Sequence, residues 1–194
     1  MNKKETKSFD FDEKSWIEKC QNFPAIDEAR LKSVFYFSLI WNLFEKNCCD
    51  SFAKIEKHPE ELSIQQHERI SNDLLNNVFD YFKNRYIKNG SITDFFYRFK
   101  FARNGDENNE TKRKVKECLL KAEPCKKEKL EAILLIAFRL RNNLFHGTKE
   151  VARLYEQNEN FYQINHLLTA LIELHKQFPV SAEPHSAPEE EQNA

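Results

Sequence analysis

The sequence is poor in residues that make tight turns. Only three glycines (Gly90, Gly105 and Gly147) and six prolines occur among 194 residues. Sheets need tight turns, which usually need glycine, so an all-β fold is disfavoured. Three separated glycines also disfavour the glycine-rich loops with which Rossmann and P-loop folds cradle phosphates. No apolar run approaches the roughly 20 residues of a membrane span, and we expect no membrane association.

Metal and redox motifs are also missing. The chain has five cysteines and no C-x-x-C pair, which indicates neither a zinc ribbon nor a thioredoxin-type site. No apolar signal segment follows Met1, and this predicts a cytoplasmic protein with reduced thiols. We expect no metal and no cofactor.

Charge is nearly balanced but unevenly distributed. The formal net charge is −1, yet residues 98–129 hold eleven Lys or Arg against six Asp or Glu. Such a basic segment can attract phosphates, or it can be a solvated helix face. The sequence leaves both interpretations open.

Apolar residues recur at helical spacing through most of the chain. The pattern predicts an all-α helical bundle with short connections. We expect a flexible arm over 1–12, a single α-helical domain over 13–178, and a disordered acidic, proline-containing tail over 179–194. The most apolar stretch, 27–49, predicts a buried or nearly buried helix with one row formed by Leu31, Val34, Phe35, Ser38, Leu39, Asn42 and Leu43. Ser63-Ile64-Gln65-Gln66 has the form of a capping box that begins a further helix, and Ser91-Ile92-Thr93-Asp94 resembles another helix start.

One segment departs from these patterns. Arg141 lies four residues after Ala137 and seven after Leu134, so it continues the apolar stripe of a helix predicted over 129–145. A guanidinium there must be paired, or must open onto an interface or cleft. His146 follows five residues later, about 140° around an ideal helix. The two side chains can converge if the helix tightens or ends before Gly147, or if two copies of the segment meet.

This pair suits the cleavage of a phosphodiester bond in RNA. A histidine with a pKa near 6.5 can take a proton from the ribose 2′-OH or give one to the departing oxygen. Arginine holds its proton and is a clamp for the phosphate. Asn142 and Asn143 add neutral donors, and no carboxylate cluster indicates a metal-dependent nuclease.

The string Leu140-Arg141-Asn142-Asn143-Leu144-Phe145-His146-Gly147 resembles the R-x4–6-H signature of the HEPN superfamily, in the version found in ApeA-like bacterial proteins. The resemblance implies an HEPN-like helical bundle with additional helices. It also implies a homodimer whose two signature segments form a composite, metal-independent endoribonuclease site. Arg141 would be the phosphate clamp, His146 the acid and base, and Asn142 the polar support. The products would be 2′,3′-cyclic phosphate and 5′-OH ends.

The same resemblance implies the effector or toxin of a prokaryotic antiviral or toxin–antitoxin system, with an antitoxin or regulatory protein as a possible partner. One toxin subgroup carries a tyrosine two residues after the histidine, which its antitoxin modifies. Thr148 occupies that position here, so that control is not expected.

Two alternatives stay open. Arg141 can instead pair with a buried acid while His146 is a satisfied histidine at a helix end. The chain can also be a non-catalytic regulatory module that binds RNA, a nucleotide or a protein.

A secondary signal for RNA binding is the alternation of aromatic and basic residues over 95–103. We expect most of these aromatics to lie in the core, with the cations flanking an RNA path. The candidate RNA-binding residues are Arg98, Lys100, Arg103, Arg139 and Asn143.

Overall fold

A computed structural model describes residues 12–20, 26–99, 101, 109–145 and 151–177. The fold is all-α, with about 76% of the described residues in helices, and this confirms the predicted fold class. The nine helices within the described ranges are α1 (Glu13–Cys20), α2 (Glu28–Cys48), α3 (His58–Gln66), α4 (Asn72–Tyr86), α5 (Asp94–Arg98), α6 (Glu110–Leu120), α7 (Lys126–Phe145), α8 (Val151–Tyr155) and α9 (Asn158–Gln177). Strands β1 (Ile87–Lys88) and β2 (Ser91–Ile92) form a small antiparallel hairpin.

The core forms where α2 packs along α9, and α7 packs against α3, α4 and α6. Rings of α2 and α9 meet at Phe37 and Phe161, whose centroids lie 4.7 Å apart. Polar groups fix the same pair of helices, since Asn165 Nδ2 donates to the Ser33 carbonyl at 2.9 Å. The side of α7 expected in the core is buried at Leu130, Ile133, Leu134, Ala137 and Leu140 and half-buried at Leu144. Ala132, Leu135, Ile136 and Phe138 are buried as well, so the middle of α7 is surrounded by the core.

The expected burial of α2 is wrong for half of the helix. Phe35, Leu39 and Leu43 of the predicted row are exposed, together with Tyr36. Leu31 and Val34 of the row are buried, and the face that packs on the core continues through Phe37, Trp41, Phe44 and Cys48. Both faces are apolar, so spacing alone does not tell which of them meets the core. The exposed row Phe35, Tyr36, Leu39 and Leu43 is called the α2 stripe below.

Two predicted helix starts also need correction. Ser63 lies inside α3, where its buried hydroxyl donates to the Glu60 carbonyl at 2.7 Å. The cap of α4 is Ser71, whose side chain accepts the Leu74 N–H. Ser91 lies in β2, and the helix that follows begins only at Asp94.

Asn89 and Gly90 make the turn of the hairpin. Their φ angles are 52° and 73°, the left-handed region that a two-residue hairpin turn requires. The chain therefore leaves α4 through a short hairpin, not by a direct turn into a helix.

The predicted arm, except Asp12, and the predicted tail lie outside the described residues. Within the part of the chain that is described, no helix is both long and apolar enough to cross a membrane.

Candidate functional site

Arg141 lies on the last turn of α7, at the edge of the core. Its side chain is 35% exposed. The guanidinium carbon lies 5.9 Å from the ring centroid of Trp41 and 5.7 Å from that of Phe145, within reach of a cation–π attraction. The Trp41 ring is buried, whereas Phe145 is exposed. Arg141 thus lies against one buried and one exposed ring and keeps part of its head accessible.

The hydrogen-bonding capacity of Arg141 is only partly used. Nη1 donates to Asn142 Oδ1 at 3.1 Å. Nη2 lies 4.0 Å from Glu45 Oε1, which is at the outer limit of an ion pair. Nε is buried and has no partner among the described residues. A guanidinium carries five N–H donors, and the buried Nε is out of reach of an anion, so the donors that remain for an anion are those of Nη1 and Nη2 that bind neither Asn142 nor Glu45.

Glu45 of α2 is a site residue that the sequence reading missed. Its side chain is 19% exposed, and Oε1 accepts the backbone N–H of Ala53 at 3.3 Å. Glu45 follows Trp41 by one helical turn, so both residues that face Arg141 come from one side of α2. The one feature of the sequence that could have indicated this residue is the spacing of four between Trp41 and Glu45, which places both on one side of a helix. A pairing between helices nearly 100 residues apart cannot be read from such spacing.

The turn after α2 places the Ala53 amide. Asp50 and Ser51 have φ angles of 50° and 67°, and two successive left-handed residues reverse the chain. The Ser51 N–H donates to the Glu45 carbonyl at 2.9 Å. Glu45 therefore holds this turn through its backbone carbonyl and its carboxylate.

Asn142 contacts Arg141 through its side chain. The expectation that Asn142 donates to the histidine or to a phosphate stays a prediction, because His146 lies outside the described residues. In the structure Asn142 Oδ1 accepts from Arg141. It therefore helps to hold the guanidinium in place.

The other predicted site residues are placed as follows. His146, Lys100 and Arg103 lie outside the described residues, so the Arg141–His146 geometry stays a prediction. Arg139 and Asn143 are half-buried on α7. Arg98 is exposed on α5, which packs against α4.

The aromatic residues over 95–101 divide as expected. Phe96, Phe99 and Phe101 are buried, and Phe95 and Tyr97 are exposed. Most of the aromatics in this stretch are core residues, but two rings remain available at the surface.

A search of the described residues finds no group of three or more His, Cys, Asp or Glu side chains placed to hold a metal ion. No protein-family model matches the chain, and no curated protein or solved structure matches it with significance. The resemblance to the HEPN superfamily therefore rests on the residues quoted for it.

Proposed function

We propose that the protein is an HEPN-type, metal-independent endoribonuclease. The observation that carries the proposal is the Arg141 guanidinium, which is partly exposed, fixed beside two rings, and left with unused N–H donors among the described residues. An arginine in this state is suited to bind a phosphate and to stabilise the charge that develops on it during cleavage. The R-x4-H spacing places a histidine five residues further along the chain.

In the proposed reaction the ribose 2′-oxygen attacks the adjacent phosphorus, and the bond from phosphorus to the 5′-oxygen breaks. One His146 imidazole takes the 2′-OH proton, and a protonated imidazole supplies a proton to the leaving 5′-oxygen. Arg141 binds the non-bridging phosphate oxygens throughout. The products are a 2′,3′-cyclic phosphate and a 5′-OH, and no redox step or metal is needed for balance.

A general base and a general acid must act at the same phosphate, and each chain supplies one His146. We therefore propose a homodimer in which the two His146 side chains form one composite site. The α2 stripe offers a surface for self-association, because four neighbouring large apolar side chains are exposed on one helix face. Trp41 and Glu45, which face Arg141, lie on the other side of the same helix. A second copy on the stripe would be separated from Arg141 by α2, so the stripe supports a dimer but does not bring two Arg141 side chains together.

The biological role that we propose is the effector or toxin of a prokaryotic antiviral or toxin–antitoxin system. An antitoxin or a regulatory protein would then keep the nuclease inactive. Growth arrest on expression that depends on His146 would support this role, and unimpaired growth would oppose it.

The test is cleavage of single-stranded RNA by the purified chain in EDTA. We expect cleavage with cyclic-phosphate ends in the wild type, and its loss in His146→Ala and Arg141→Gln. His166→Ala and Arg153→Gln are matched controls, because His166 and Arg153 are exposed on other helices. Cleavage that survives His146→Ala, or that stops in EDTA, contradicts the proposal.

The competing function is RNA binding without cleavage. It is favoured by the exposed Phe95 and Tyr97, and by Glu45, whose carboxylate already offsets part of the Arg141 charge. Retained RNA binding with no product at any enzyme concentration would select this function.

A further inference from the structure

The end of α4, the hairpin and α5 form a surface that the candidate nuclease site does not use. Phe95 is 52% exposed and Tyr97 is 61% exposed, whereas Phe96 between them is buried. In a helix, residues two apart point about 160° away from each other. The two exposed rings therefore lie on opposite flanks of α5.

Among the described residues, the flank of Phe95 combines an exposed ring with a fixed cation, and the flank of Tyr97 does not. The guanidinium carbon of Arg85 lies 5.0 Å from the Phe95 ring centroid. Arg85 Nη2 donates to the Glu156 carbonyl at 3.1 Å, which fixes the guanidinium beside the ring. Arg98 is exposed three residues after Phe95 and so shares its side of the helix.

The surrounding chain carries an excess of positive charge. Residues 85–98 contain three cations (Arg85, Lys88 and Arg98) and one carboxylate (Asp94). Cations still outnumber carboxylates, by three to two, when Glu156 is included, because its carbonyl binds Arg85. A polyanion is thus the ligand that this charge pattern complements.

The patch is held in place before any ligand binds. The Thr93 N–H donates to the Tyr86 carbonyl at 2.9 Å, and the Thr93 hydroxyl donates to the Arg85 carbonyl at 3.1 Å. Phe96 and Phe99 pack on the buried Tyr86 ring with centroids 5.5 and 5.8 Å away. A rigid platform of this kind loses little side-chain freedom on binding.

We propose that Phe95, Arg85 and Arg98 bind single-stranded RNA, with one base stacked on the Phe95 ring and the two cations facing the phosphates. The combination of an exposed ring and flanking cations is the one that proteins use for single strands. A purely apolar peptide would not use the cations. The inference takes RNA as the ligand from the proposed function, but it involves no residue of the cleavage site.

The experiment measures binding of a fluorescent single-stranded oligoribonucleotide by anisotropy, in the full chain with His146→Ala so that the RNA stays intact. Phe95→Ala is expected to weaken binding about tenfold, within the range for loss of one stacked base. Phe95→Trp should retain binding. Tyr97→Ala is the matched control, because it removes a more exposed ring from the opposite flank and should change the Kd less than twofold.

A second probe separates stacking from charge. An oligomer of the same length without bases should bind Phe95→Ala and the parent chain equally, while Arg98→Gln should weaken binding of both oligomers. The proposal is overturned if the parent chain binds no RNA, if Phe95→Ala behaves like Tyr97→Ala, or if Phe95→Ala weakens the base-free oligomer equally. Binding that depends on Phe95 in a chain that never cleaves RNA would separate this site from the proposed nuclease activity.

Discussion

Arg141 and Glu45 face each other without closing an ion pair. Nη2 and Oε1 lie 4.0 Å apart, while the Glu45 carboxylate accepts from the Ala53 amide and Arg141 lies against the ring of Trp41. The Glu45 carboxylate therefore offsets part of the charge of the guanidinium but accepts no hydrogen bond from it. This arrangement predicts that Glu45 sets how strongly Arg141 attracts an anion.

Glu45→Gln is expected to tighten the binding of single-stranded RNA. Glutamine keeps the oxygen that accepts the Ala53 N–H, so the turn should persist while the negative charge is removed. Because Arg141 is 35% exposed, solvent screens the pair, and we expect a gain of about two- to fivefold in affinity. The fluorescence anisotropy of a labelled single-stranded RNA, titrated at two salt concentrations, measures this change in Kd. Glu173→Gln, an exposed carboxylate on α9, serves as the control, and an unchanged Kd in Glu45→Gln would show that the two residues are uncoupled.

Phe37 and Phe35 provide a matched test of which face of α2 meets the core. Phe37 is fully buried between the rings of Trp41 and Phe161, whereas Phe35 is exposed. Phe37→Ala should lower the free energy of unfolding by about 3–5 kcal/mol, since it leaves a cavity. Phe35→Ala should change it by about 0.5 kcal/mol or less. Urea unfolding followed by circular dichroism measures both, and equal losses would contradict the described orientation of α2.

The comparison of these two residues shows how far the sequence predicts the fold. Periodicity predicted the helical class and the burial of α7, because this helix is apolar over most of its length. It predicted burial of nearly all of α2, whereas Phe35, Leu39 and Leu43 are exposed although they are as apolar as the residues that pack inside. Only the positions of α7 and α9 decide between the two faces.

The candidate site was predictable only in part. Arg141 was identified because a cation on an apolar stripe is an exception that a local pattern reveals. Glu45 and Trp41 were not identified, since their relation to Arg141 arises from two helices far apart in the chain. Arg85 was not identified as a binding residue for the same reason, because its position over the Phe95 ring depends on how the hairpin connects α4 to α5.

The α2 stripe predicts self-association. Leu39→Lys places a charge at its centre and should convert a dimer into a monomer, because a buried unpaired ammonium is costly. Sedimentation velocity across a concentration series measures this. Ile64→Lys alters an exposed apolar residue on α3, outside the stripe, and should leave the oligomeric state unchanged. A wild-type monomer at all concentrations, with cleavage intact, would refute the composite site.

Buried thiols predict a loss of stability in alkali. Burial raises the pKa of Cys48 and of Cys118 from 9.0 to about 12. The folded state therefore keeps protons that the unfolded state loses above pH 9, so stability must fall as pH rises through that region. We expect at most about 1.4 kcal/mol per thiol per pH unit.

Urea midpoints measured at pH 7, 9 and 10 in a reducing buffer check the alkaline prediction. Cys118→Ala should flatten the decline above pH 9, and Cys125→Ser, which changes an exposed thiol, should not. A midpoint that stays constant from pH 9 to pH 10 would show that these thiols ionise equally in both states.

The left-handed turn at Asp50 and Ser51 links the length of a surface loop to the strength of a charge pair. One inserted residue adds about 3.5 Å of chain, enough to carry the Ala53 amide away from Glu45. The freed carboxylate would then be able to swing onto the guanidinium and occupy the donors that a phosphate needs. A longer turn between α2 and α3 would thus weaken the binding of an anion by Arg141, although every residue around Arg141 is unchanged.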